Sequence, residues 1–268
     1  MDLIIPNWPV HTNISAAITT RSGGCSASPW DSLNLAFHVG DNSKSVEQNW
    51  QSVSKQLNLP STPQLLNQVH GIDIVELGDR KGIANEITPA ADGCYTKSPG
   101  LICTVMTADC LPILLCNTAG TEVAAIHAGW RGLAAGVVSN VVKQFCSPGA
   151  DLLAYLGPAI SQQYFEVGPE VRQAFLSSSF HSSSSHERHE QVQYKINACF
   201  TESNSEGGDS KGSHWMADLY GLARLALNQA GVFQIYGGDF CSYTNAEQFY
   251  SFRRDGQTGR MASLIWIS

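Results

Sequence analysis

Positive charge is scarce in this sequence: 16 Lys and Arg stand against 23 Asp and Glu over 268 residues, a formal net charge of −7. A surface with that balance does not draw DNA, RNA or an anionic membrane as its main partner. A small molecule is the expected ligand, an anionic one included, because a few arginines suffice for a local positive pocket. Long apolar runs are missing too. None approaches the roughly 20 residues that span a bilayer. Met1 to Val10 carries an acidic residue, no Lys or Arg, and prolines inside its apolar stretch, unlike a secretory signal. The eight cysteines include no Cys-x-x-Cys pair and are too scattered for a disulfide scaffold. Most lie in apolar runs, where Cys behaves as a small buried hydrophobe. These absences describe a reduced, cytoplasmic protein.

Neither an internal repeat nor a sharp composition shift divides the chain, so a single domain over residues 1–268 is expected. Ser177 to Glu190 and Thr201 to Ser213 are rich in Ser, Gly and charge with little to bury. They read as one surface insertion around 177–213, interrupted by a strand-like Val192 to Ile196.

The remainder alternates between strand and helix signals. Val46, Trp50, Val53 and Leu57 make one apolar stripe, which predicts a helix over 44–58. Leu133, Val137, Val141 and Phe145 predict a second helix over 132–145, and Leu219, Leu222, Leu225 and Ala226 a third over 215–230, stopped by Gly231. Short apolar runs bounded by turn residues predict strands over 101–106, 112–116, 123–128, 152–156, 233–236, 248–252 and 261–267. The pattern is α/β (α+β), a layered domain with mixed sheets covered by helices.

Three polar residues close strand-like segments: His70 after Leu65 to Val69, Cys110 after Leu101 to Thr107, and His127 after Val123 to Ile126. Strand ends are where open sheets present functional side chains. Two imidazoles and a thiolate suit zinc, and three protein ligands leave the fourth position open for catalysis. A lone Cys in an apolar run is more often packing, and a lone His often only bonds a carbonyl. His186 and His189 have closer ligand spacing but lie in the Ser-rich insertion, and they read as a solvated pair. After His127, the turn Gly129-Trp130-Arg131-Gly132 opens a helix, whose N-terminal N–H groups favour anions. Arg131 adds a fork suited to phosphate or carboxylate. Arg21, before Gly23 and Gly24, is a further anion candidate, whereas Arg253, Arg254 and Arg260 read as solvated or salt-bridged.

Read together, these motifs resemble the YfiH-like, laccase-domain family. The likeness rests on Asn67-Gln68-Val69-His70-Gly71, Ala91-Asp92-Gly93, Thr107-Ala108-Asp109-Cys110-Leu111-Pro112 and His127-Ala128-Gly129-Trp130-Arg131-Gly132. Leu156-Gly157-Pro158-Ala159-Ile160, Phe165-Glu166-Val167-Gly168, Arg253-Arg254-Asp255 and Thr258-Gly259-Arg260 extend it from about Ile4 to Ile267. The resemblance implies a zinc enzyme with His70, Cys110 and His127 as metal ligands and catalytic residues, on a layered fold shared with a group of cysteine hydrolases. It also implies phosphorolysis of adenosine, inosine and S-methyl-5′-thioadenosine, together with deamination of adenosine.

Phosphorolysis requires an anion site beside C1′ of the ribose, for which Arg131, with Arg21 opposite, is the expected place. Deamination requires water activated by the metal and a proton shuttle, for which Asp109 is one candidate if it does not merely orient a ligand. Three other readings compete, one of them a catalytically silent nucleotide-binding module that ligands would stabilise without turnover. Cys110 could be the nucleophile of an amidase editing cell-wall precursors, with His127 as base and Asp109 or His70 orienting it. The older polyphenol oxidase name would need copper. Multicopper sites call for about ten histidines with His-x-His pairs, against eight histidines and no such pair here.

Overall fold

A computed structural model describes residues 1–78, 88–178, 186–203 and 214–268. The fold follows from apolar runs that are buried on both sides. Leu111–Asn117 (β6) and Val123–Ala128 (β7) form an antiparallel hairpin at the centre of a six-stranded sheet. Leu152–Leu156 (β8) and Gln234–Gly237 (β12) extend it on one side, Gly93–Thr96 (β4) and Ile74–Glu76 (β3) on the other, in the order β12-β8-β6-β7-β4-β3. The two edge pairings are parallel and the central ones antiparallel, so the sheet is mixed.

A four-stranded antiparallel sheet lies against one of its faces, in the order Leu3–Ile4 (β1), Ile14–Thr19 (β2), Met261–Ile267 (β13) and Ile102–Thr107 (β5). Period-2 alternation sorts the side chains. Leu114, Cys116, Val123 and Ala125 pack with Cys103, Val105, Ile265 and Ile267 between the sheets. Ile113, Leu115, Ala124 and Ile126 point the other way, onto Trp130–Ala135 (α2), Val137–Val142 (α3) and Leu219–Gln229 (α6). On the outside of the smaller sheet, Met106, Leu264 and Trp266 pack with Val53 and Trp50 of Ser43–Leu57 (α1). The result is four layers, helix, sheet, sheet and helices, which explains strands with no polar face.

Phe200–Glu202 (β10), Trp215–Ala217 (β11) and Glu166–Val167 (β9) make a small antiparallel sheet beside Pro169–Leu176 (α4) and His186–Ala198 (α5). A short helix, Phe252–Asp255 (α7), precedes β13. No helix among the described residues is long and apolar enough to cross a membrane.

Four segments differ from the sequence expectation. Val192 to Ile196 lies in α5, not in a strand. Its alternation satisfies period 2 and the i, i+4 step equally, and the helix buries Ile196 while leaving Tyr194 77% exposed. The helix expected over 132–145 is two helices, because Gly136 at φ 101° closes one and starts the other. Trp215–Ala217 is a strand; Asp218 then caps α6 by accepting from the Gly221 N–H. The strand expected over 248–252 is absent. Phe249 and Tyr250 are buried there as irregular chain, held by the Arg254 guanidinium, which donates to the Ser242, Tyr243 and Phe249 carbonyls. Residues 179–185 and 204–213 of the Ser-rich insertion lie outside the described residues, as do the side chains of His186 and His189.

Candidate active site and metal centre

His127 arrives by strand alternation. It shares the face of Val123 and Ala125 near the end of β7, where the core between the sheets gives out. Cys110 occupies the turn between β5 and β6, directly after Asp109. Asp109 is held at φ 87°, a conformation that costs a non-glycine residue free energy. Its carboxylate secures it by accepting 2.6 Å from the Ser242 hydroxyl and 2.7 Å from the Arg253 N–H. His70 is also left-handed, at φ 61°, on a loop tied to the sheet by one bridge from Asn67 to Ala90 and not by a strand over 65–69.

Asp92 organises the two histidines. It is fully buried, and its carboxylate accepts from three successive backbone N–H groups, Val69 at 3.2 Å, His70 at 2.9 Å and Gly71 at 2.6 Å. The His127 Nδ1–H donates to the same carboxylate at 2.8 Å. Burial pushes the Asp92 pKa up, but the hydrogen bonds from His127 and the Gly71 and His70 N–H groups outweigh it and hold the group below its ordinary value. An ionised partner on Nδ1 leaves the Nε2 lone pair of His127 free for a metal. Within the sequence, Asp92 figured only as part of a motif. A buried acid ahead of an apolar strand was the signal for a more particular role.

The ligand atoms of His70, Cys110 and His127 all lie within 4.8 Å of one another, with Cys110 Sγ 3.8 Å from His70 Nε2. Tetrahedral bonds of about 2.0–2.3 Å would put such atoms roughly 3.3–3.8 Å apart. Closure around an ion therefore takes a movement of about 1 Å, and the donor set fits a divalent metal. The imidazole rings meet edge to face with centroids 4.8 Å apart. Gly129 makes room for them, since a Cβ there would lie 2.8 Å from the His70 ring and 3.3 Å from Cys110 Sγ. Burial raises the Cys110 pKa, yet the charges and hydrogen bonds of His127 and His70 hold it down at about 6. Burial likewise opposes charge on His127, but Cys110 and Asp92 raise it to about 9. The metal-free pair is a thiolate beside an imidazolium.

The three residues line a cavity of about 260 Å³ that also takes in His38, Gln68, Phe252 and Arg260. That volume is close to the low end of small-molecule sites. Gln68 is committed to the scaffold, its amide bonded both to the Met106 N–H and to the Met106 carbonyl. Neither expected anion ligand lines this cavity. Arg21 donates to the Asp31 and Ala246 carbonyls and pairs with the Asp31 carboxylate at 3.3 Å. Arg131 is exposed, its guanidinium 4.3 Å over its neighbour Trp130, and α2 is only six residues long. Asp109 is absent from the lining as well. Arg260, read from sequence as solvated or paired, is the cation that the structure brings in.

Residues 15–268 match the family described as multi-copper polyphenol oxidoreductase laccase. The proteins named purine nucleoside phosphorylase YfiH from Shigella flexneri and from Escherichia coli K12 are each 47% identical over 265 residues, covering 99% of this chain and 98% of theirs. A Haemophilus influenzae protein named purine nucleoside phosphorylase is 42% identical over the full length of both. Among solved structures, the Neisseria meningitidis protein NMB0706 superposes with a TM-score of 0.84 at 42% identity, covering 100% of both chains. YlmD from Geobacillus stearothermophilus superposes at 0.79 with 29% identity, covering 96% of this chain and 92% of its own.

Proposed function

The chain belongs to the laccase-domain family just described, and within that family we propose that it is a metal-dependent purine nucleoside phosphorylase. Its substrates are adenosine, inosine and S-methyl-5′-thioadenosine, and its products are the free base and the (methylthio)ribose 1-phosphate. The observation that carries the reading is the cluster of His70, Cys110 and His127 in a cavity of nucleoside scale. Full-length relatives named for this activity support it. In the reaction a phosphate oxygen bonds to C1′ as the bond from C1′ to the purine nitrogen breaks. The electron pair leaves with the base, which takes up the proton that monohydrogen phosphate gives up, so atoms and charge balance.

His70, Cys110 and His127 hold the ion, and Asp92 keeps His127 in the tautomer that can bind it. When bound, the ion supplies a positive charge that draws electron density from the purine and activates water, which also suits deamination of adenosine. Zinc fits two imidazoles and a thiolate with an open position; copper suits the same donors and is the alternative to test in vitro. Phe252, 58% exposed on the cavity wall, offers a ring face to a base. Metal analysis of the purified protein, then purine release from each nucleoside with and without phosphate, tests the reading. Expected are about one zinc per chain and phosphate-dependent release abolished in Cys110→Ser. Release indifferent to phosphate and to chelation would overturn it.

One observation favours a second reading. A thiolate held at about 6 beside a protonated His127 is also the resting state of a cysteine hydrolase. Asp92, and not Asp109 or His70, would then be the orienting acid. An amidase of this kind survives chelation and is killed by alkylation of Cys110, the reverse of what the metal enzyme does.

A further inference from the structure

We propose that Arg260, assisted by His38, is the phosphate subsite of the cavity that His70, Cys110 and His127 line. This rests on the phosphorylase reading for the identity of the anion. Among the described residues Arg260 is the only Lys or Arg on the cavity wall. Its guanidinium forms no salt bridge among the described residues. Its backbone N–H donates to Asn34, and one terminal nitrogen, Nη1, is spent on the Thr258 and Gly259 carbonyls, both at 2.9 Å. Nε and Nη2 have no partner among the described residues, and no carboxylate pairs with the guanidinium. Arg21 and Arg254, by contrast, each hold an aspartate.

An arginine fixed along one edge with its other edge open is a preformed fork for two oxygens of a tetrahedral anion. Phe252 sits 5.9 Å from the guanidinium carbon and covers it. Burial lowers the Arg260 pKa while the nearby Cys110 and Asp109 raise it, and an arginine remains a cation near neutral pH. His38 lies at the exposed mouth of the same cavity, on the short 3-10 turn Phe37–Val39. Burial and the nearby Arg260 charge both keep its imidazole neutral, so it can donate one N–H to an anion and accept a P–OH with the other nitrogen.

The test is steady-state phosphorolysis of inosine, varying inorganic phosphate and nucleoside separately, in wild type, Arg260→Gln, Arg260→Lys, His38→Asn and Arg131→Ala. A thermal-shift titration of each protein with inorganic phosphate alone runs beside it. Arg260→Gln is expected to raise the KM for phosphate about 10- to 100-fold with a much smaller change for inosine. It should also lose the phosphate-dependent shift while retaining its metal. Arg260→Lys, which keeps charge but not the fork, should recover part of the loss, and His38→Asn should show a smaller rise of the same kind. A phosphate KM unchanged in Arg260→Gln, or a loss confined to the inosine KM, overturns the proposal. A rise in Arg131→Ala instead would return the anion to the α2 turn. Should wild type show the phosphate shift, lost in Arg260→Gln, without releasing purine, the subsite stands and the phosphorylase reading falls.

Discussion

Asp92 serves two candidate ligands with one carboxylate: it orders the backbone that carries His70 and it holds the proton on Nδ1 of His127. Asparagine in its place is nearly isosteric but neutral, and its amide can donate where the carboxylate only accepts. The His127 tautomer is then no longer imposed, and one of the loop N–H groups loses an ionic acceptor. Asp92→Asn should therefore weaken metal affinity by about 10- to 100-fold, a typical cost of losing such a support. Chelator competition monitored by metal release reads this directly. Affinity equal to wild type would mean that Asp92 serves the fold alone. His70, Cys110 and His127 were legible in the sequence as metal-ligand candidates because each lies in a motif of recognisable order. Arg260 was not, because nothing in Thr258-Gly259-Arg260 tells which way the guanidinium turns or that no carboxylate will meet it.

Between residues and the whole lie the connections, and here the β6–β7 hairpin shows how an acid can be structural. Glu122, 3% exposed, accepts from Tyr95 Oη and the Cys146 N–H on one oxygen, and from Asn117, the Ser147 N–H and the Ser147 hydroxyl on the other. Burial raises its pKa, but these bonds hold it below the ordinary value, while burial first and then the bond to Glu122 push the Tyr95 hydroxyl up. Because the folded pKa is the lower one, the stabilisation is complete above the unfolded value of about 4.3 and is lost as pH falls through the folded value. Glu122→Gln should cost about 1–3 kcal/mol near neutrality, since one side of the amide would face donors. Urea melts at several pH values should show that gap narrowing below about pH 4. A gap constant with pH would sink the ionic account. The expected helices failed at the connections: at Gly136 a single φ angle outweighed an apolar spacing that continued across it, and at Asp218 the cap set the start of α6 at the first residue of its apolar stripe.

At the scale of the molecule, two sheets share one apolar interior and the candidate site opens where that interior ends. Leu114, fully buried between them, should cost about 2–5 kcal/mol when changed to Ala. A ligand that binds only the folded chain adds about 2.7 kcal/mol at a hundredfold excess over its Kd. Zinc added to metal-free protein should thus raise the melting temperature, in wild type and in Leu114→Ala alike, and should do nothing in Cys110→Ser. An equal rise in the cysteine variant would place the metal elsewhere.

The sequence by itself determined the layered α/β class, most of the buried strands and the three metal-ligand candidates, because burial on both faces and local motif order are written in neighbouring residues. Only the tertiary structure decided which acid and which arginine serve the site. Asp92 reaches His127 across 35 positions of chain, and Arg260 comes from the turn before the final strand to a cavity lined by the ends of β5 and β7 and by the loops carrying His70 and Cys110. Contacts of that range depend on where the backbone brings polar groups together once the core has packed, and no local pattern encodes that meeting.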